Sequence, residues 1–164
     1  MIQRIQSVYL LAAFICTVFL LFMPIGTVDT TPYISSPDFQ RLEYNPFVLK
    51  DITLNSTPLS TLYIAITLII CSIFSLVAIF MYGNRKRQLN IVYANMLFFL
   101  LAILLMLFVY PNYIIPARLG IPKDSVDYNY WILACLVPAA VALMLASRAI
   151  KKDEQLVRAA DRLR

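Results

Sequence analysis

The chain has 164 residues, of which 61% are hydrophobic and 14% charged, with no histidine and a formal net charge of +5; its mean hydropathy is +0.76. Soluble globular domains do not have this composition. Without histidine the chain lacks the commonest general base, metal ligand and haem ligand, and its three glycines give it little means of bringing backbone close to a cofactor.

A helix rising about 1.5 Å per residue needs about 20 apolar residues to cross a hydrocarbon core about 30 Å thick. Four stretches meet that need, at about 6–28, 59–82, 89–110 and 130–149. The first lies in MIQRIQSVYLLAAFICTVFLLFMPIG, one cation followed by an apolar run, as in a signal peptide. No small-x-small cleavage pattern follows it, so it is expected to remain as the first helix, ending near Pro24 and Gly26.

Between the first two spans lies TTPYISSPDFQRLEYNPFVLKDITLNSTP. Phe39, Arg41 and Glu43 alternate with Gln40, Leu42 and Tyr44, and Asn45-Pro46 breaks the run before Phe47 to Leu54, a pattern that predicts a short β-hairpin. A lone hairpin is marginal in water, so this one should lean on the rim of the bundle or on another protein. Asn55-Ser56-Thr57 fits a glycosylation sequon, to which no weight is given.

Spans two and three are joined by GNRKRQ, short enough only for a tight helical hairpin. Gly83 and Asn84 supply the stop, while Arg85, Lys86 and Arg87 hold the turn at an anionic leaflet, each worth on the order of 1 kcal/mol. No span has Asp, Glu, Lys, Arg or His in its central part, although transporters and pumps usually need such a group there. Thr17, Thr67, Ser72 and Ser75 can bond a carbonyl one turn back. Asn95 cannot satisfy itself so easily and calls for an interhelical hydrogen bond worth about 0.6 to 2 kcal/mol.

The segment PNYIIPARLGIPKDSVDYN is punctuated by Pro111, Pro116 and Pro122 and reads as an irregular cap. Tyr63, Tyr82, Tyr110, Tyr113, Tyr128, Tyr130 and Trp131 fall at span ends, where amphipathic rings anchor at the interface. Cys16, Cys71 and Cys135 lie inside spans, as small packing residues and not a disulfide framework. In the last span Pro138 should kink the helix and free a carbonyl. Asp124 and Asp127 form a D-x-x-D too weak to imply catalysis.

The chain ends SRAIKKDEQLVRAADRLR. If the last span continues as helix, Ile150, Leu156, Val157, Ala160 and Leu163 share an arc of roughly 140°, with Lys151, Arg158 and Arg162 opposite. Glu154 and Arg158 form a favourable i,i+4 pair, and Asp153 falls inside the apolar arc. Ten of the fourteen cations lie at Arg4, on the GNRKRQ turn or in this tail. By the positive-inside rule that side, with both termini, is expected to be cytoplasmic, and the net charge is a topological signal and not a mark of nucleic-acid binding.

MIQRIQSVYLL, YGNRKRQLN and IKKDEQLVRAADRLR together resemble a family of small four-span inner-membrane proteins of Bacteroidota, classified as a domain of unknown function. The resemblance runs end to end; it implies four helices, a short outer β element and a bacterial inner membrane, and carries over no activity, cofactor or catalytic residue.

The expected fold is an all-α membrane bundle, with residues 1–149 as a four-helix transmembrane domain and 150–164 as a cytoplasmic amphipathic tail. The expected role is a non-enzymatic accessory or scaffold subunit of an inner-membrane complex, in contact with membrane lipids and a protein partner. No catalytic, metal or cofactor residue and no small-molecule substrate is identified. The residues expected to meet the partner are Arg85, Lys86, Arg87, Arg148, Lys151, Lys152, Asp153, Glu154, Val157, Arg158, Asp161, Arg162 and Leu163, with Asn95 as the intramembrane polar group. The alternative is a small carrier or lipid-handling protein with a cavity between helices.

Overall fold

The computed structural model describes residues 2–30, 41–51, 59–122 and 125–162, with side chains over 5–30, 41–50, 59–122 and 125–157. Helix α1 (Ile2–Phe22) leads into strand β1 (Gly26–Asp29); β2 (Arg41–Tyr44), β3 (Val48–Asp51) and β4 (Leu59–Ser60) follow. Helices α2 (Leu62–Phe80) and α3 (Arg85–Leu104) form a hairpin, and α3 runs on through a π-helical segment (Leu105–Ile114) into α4 (Ile115–Leu119). Strand β5 (Val126–Tyr128) then enters α5 (Tyr130–Arg162).

Among the described residues four helical rods are long and apolar enough to cross a membrane: Ile5–Phe22, Leu62–Phe80, Arg85–Leu119 and Tyr130–Val157. They pack as a ring, α1 against α2 and α5, α3 against α2 and α5. The α1–α5 seam is the most extensive and the α3–α5 seam the slightest. The main core gathers Leu20, Leu68, Phe99, Met106, Tyr110 and Leu143 from all four rods, with Leu42, Tyr44 and Leu49 from the strands.

The first helix is shorter at its end than the sequence suggests: residues 26–28, expected to close the span, belong to strand β1 (Gly26–Asp29). Pro24 stops the helix, and the carbonyl of Ile25 accepts the Asn129 N–H at 3.0 Å, so the chain passes straight from helix into sheet pairing. The expected hairpin exists as β2–β3, but within a five-stranded antiparallel sheet ordered β4-β3-β2-β1-β5. Its expected beginning at Phe39 and end at Leu54 lie outside the described residues.

The expected irregular cap is instead structured. Pro111 lies inside the π-helical segment, Pro116 occupies the first turn of α4, where a missing N–H costs nothing, and Gly120 ends α4 at φ 68°. Strand β5 then pairs with β1, with Gly26 opposite Tyr128 and Thr27 opposite Asp127. Any Cβ at position 26 would collide with the Asp127 carbonyl, so this close approach requires glycine.

Candidate functional site

At the end of the bundle that carries the α2–α3 turn, polar groups join α5 to the rest. The Asn84 side chain accepts from the Arg87 N–H at 3.3 Å and caps α3. Gln88 Nε2 donates to the Ala78 carbonyl at 2.9 Å, closing the helical hairpin, and Gln6 Nε2 donates to the Ala149 carbonyl at 3.2 Å, tying α1 to α5. Ile150 is fully buried beside Leu10, Ala78, Val92 and Ala146. One turn on, an Arg85 Nη lies 2.9 Å from an Asp153 carboxylate oxygen and donates to the Asp153 backbone carbonyl at 3.1 Å.

Of the residues expected to meet a partner, the structure thus brings Arg85 and Asp153 together within the chain itself. This explains an acid inside the apolar arc: Asp153 is buried with Ile150 on the inward face and meets a guanidinium there. Lys86, Arg87, Arg148, Lys151, Lys152 and Val157 face outward, and Glu154 is half-buried. Arg158, Asp161 and Arg162 lie on α5, but their side chains, and all of Leu163, are outside the described residues. Leu156 and Val157 stand exposed just beyond the docked turns.

In the middle of the bundle the polar residues form a narrow seam. The Ser72 hydroxyl lies 3.2 Å from the Thr17 hydroxyl and 2.9 Å from the Leu68 carbonyl, linking α1 to α2. Asn95 Nδ2 donates to Ser75 Oγ at 2.8 Å, the interhelical bond expected of it, while its fully buried Oδ1 has no partner among the described residues.

At the opposite end the sheet clasps the π-helical segment. Cross-strand pairing puts Leu49, Tyr44, Gly26 and Tyr128 in one row on the inward face. From that row Tyr44 donates to the Met106 carbonyl at 3.1 Å and Tyr128 to the Leu107 carbonyl at 3.1 Å. Those are the two carbonyls that residue 111 would bond, Met106 in a π register and Leu107 in an α register, and Pro111 has no N–H to give. Tyr110, expected as an interfacial anchor, is instead buried: its ring lies 6.3 Å from that of Tyr44, and its hydroxyl donates to the Ser60 carbonyl at 3.4 Å. Burial, with the nearby Tyr128 and Tyr110 adding to it, pushes the Tyr44 hydroxyl well above the ordinary tyrosine range, and burial also raises Tyr128. The sequence reading missed Tyr44 and Tyr128 as a pair, although Pro111 was the signal for two carbonyls in need of donors.

The outward row of the same sheet is Lys50, Glu43, Thr27 and Asp127. Beside it is a cleft of about 420 Å³ bordered by Glu43, Asp127, Tyr128, Asn129 and Tyr130. A smaller apolar notch of about 200 Å³ sits beneath it, against Leu107, Ile132 and Leu133. Along the loose α3–α5 seam runs an apolar groove of about 330 Å³ lined by Met96, Leu100, Ile103, Ala140 and Met144, and its lining does not include Asn95. Among the described residues no three acidic or cysteine side chains gather to hold a metal ion.

No curated protein matches the chain. Residues 2–163 match the family described as a domain of unknown function, DUF4293, which nearly spans the sequence and embraces the turn, the sheet and the helical extension alike. By that match the chain belongs to the DUF4293 family.

Proposed function

We propose that this protein is a non-enzymatic accessory or scaffold subunit of a larger complex in a bacterial inner membrane. Its four rods span the bilayer, its termini and the Arg85-Lys86-Arg87 turn face the cytoplasm, and its sheet faces outward. The observation that supports this best is α5, one unbroken helix of 33 residues. About 20 of them suffice to cross the hydrocarbon core. The remainder leaves the bundle on a fixed course, set by Ile150 and by the Arg85–Asp153 pair, and carries Leu156 and Val157 exposed among Lys151 and Lys152. An apolar strip with flanking cations, on a helix already ordered, is the kind of surface that seats in a groove of a partner protein.

The test is gentle detergent extraction and mass spectrometry of the full chain beside a Leu156→Glu, Val157→Glu variant. A stoichiometric partner held by the natural chain and lost by the variant is the expected result. An identical set of partners in both would rule out the extension as the contact. A second reading, a small lipid-handling protein, draws support from the apolar groove between α3 and α5.

A further inference from the structure

Two of the three hollows share a border, and the third lies in line with them along the same two helices. Tyr128 and Asn129 border both the polar cleft and the notch beneath it. Leu107 of the notch continues the stripe of Leu100 and Ile103 on the third rod, and Leu133 continues that of Ala140 and Met144 on α5. From Leu133 to Met144 the track descends about 16 Å at about 1.5 Å per residue, half of a hydrocarbon core about 30 Å thick. That is the depth of one leaflet. Its lower part is apolar, and its upper end opens on Glu43 and Asp127 at the level of the exposed rings of Tyr130 and Trp131, where interfacial aromatics mark the headgroup region.

We propose that this track binds a single lipid, its acyl chain in the α3–α5 groove and a primary amine headgroup against Glu43 and Asp127. The proposal rests on the membrane-spanning reading above. Glu43 and Asp127 flank Thr27 on three neighbouring strands, so their backbones stand two strand spacings apart, about 9.6 Å. A primary ammonium, with three N–H donors, can meet carboxylates that approach from both sides of Thr27. Neither carboxylate forms an ion pair among the described residues; the one exposed pair at this end is Arg41 with Asp29. Lys50 stands across from Glu43 on β3 but outside the cleft. The two charged side chains that border the cleft are thus both acidic, which favours an amine over a purely anionic headgroup.

The chain's single tryptophan, Trp131, lies in sequence between Tyr130 of the cleft and Ile132 of the notch, so tryptophan fluorescence is read from beside the track. The full-length protein is reconstituted in vesicles of choline phospholipid, and phospholipids with brominated chains and ethanolamine, choline or glycerol headgroups are titrated in as quenchers. At equal mole fraction the ethanolamine lipid is expected to compete for Trp131 about threefold better than the glycerol lipid, a modest preference typical of a solvent-accessible ion pair. Glu43→Gln with Asp127→Asn, both outside the core, should bring that ratio to about one. Ala140→Leu, which fills the groove, should lower quenching by the ethanolamine lipid, with thermal unfolding of the same variant measured to show that it folds. Equal quenching by all headgroups, or a preference that survives loss of both carboxylates, overturns the amine site. Undiminished quenching by the ethanolamine lipid in Ala140→Leu overturns the groove as the seat of the chain. Failure of the protein to enter vesicles at all would instead sink the membrane-spanning reading.

Discussion

A single proline determines much of the geometry at the sheet end. Because Pro111 cannot donate, the carbonyls of Met106 and Leu107 turn to Tyr44 and Tyr128, which joins two segments some sixty residues apart in the chain. Removing the Tyr44 hydroxyl should leave a buried carbonyl unpaired, at about 1 to 3 kcal/mol. Tyr44→Phe is therefore expected to lower unfolding stability by that amount, and by less than half as much in a Pro111→Ala background, where residue 111 regains an N–H. Equal losses in both backgrounds, read from denaturant unfolding in detergent, would show that the proline is not the cause. The sequence carries this clue, but a proline near a span end reads as the beginning of a loop, whereas Pro138, inside an apolar run, reads as a freed carbonyl. Asn95 was more legible, since an amide deep in an apolar helix has few ways to be satisfied. A double-mutant cycle of Asn95→Ala and Ser75→Ala should return a coupling of about 0.6 to 1.7 kcal/mol, and a value near zero would deny the 2.8 Å bond any energetic weight.

Among the elements, α5 and the sheet differ in how far their residues disclose them. The helical extension is visible in the spacing of Ile150, Leu156 and Val157, and Asp153 stands out as an anomaly in that arc. What the arc cannot disclose is the partner: Arg85 lies 68 positions away, on another helix. The pair is half-screened, with side-chain exposures of 27% and 12%, so it belongs between surface pairs worth about 0 to 1 kcal/mol and buried pairs whose disruption costs about 3 to 5. Asp153→Ala is expected to cost about 1 to 3 kcal/mol and to speed amide hydrogen exchange in α5 beyond Ile150, while exchange in α1 and α2 stays slow. Uniform acceleration through the bundle would mean that the pair holds up the whole fold and not the extension. Strand β5 was illegible for a related reason: three residues carry almost no periodicity, and their pairing with β1 is a contact between distant parts of the chain.

For the whole molecule, the four apolar rods could be counted from the apolar stretches along the sequence, but their lengths could not. The third rod runs 35 residues because the π-helical segment carries the chain past Pro111 instead of ending there, and its far end is what the sheet grips. The sheet and the bundle are therefore a single unit whose joint depends on neutral tyrosines. Tyr44, above all by burial, and Tyr128 both favour the protonated form in the folded state. An unfolded tyrosine ionises at its ordinary value of 10.0, whereas the folded one resists. The stabilisation is accordingly complete below that value and drains away as pH rises above it, because only the unfolded chain gains by releasing the proton. The melting temperature in detergent should stay level from neutral pH upward and fall once the ordinary tyrosine value is passed, in step with tyrosinate absorbance. A Tyr44→Phe, Tyr128→Phe variant should melt lower at neutral pH and decline less steeply at alkaline pH than the natural chain. If the variant declines as steeply as the natural chain, the joint between sheet and bundle is not where the alkaline sensitivity resides, and the clasp at Met106 and Leu107 contributes little to holding the two together.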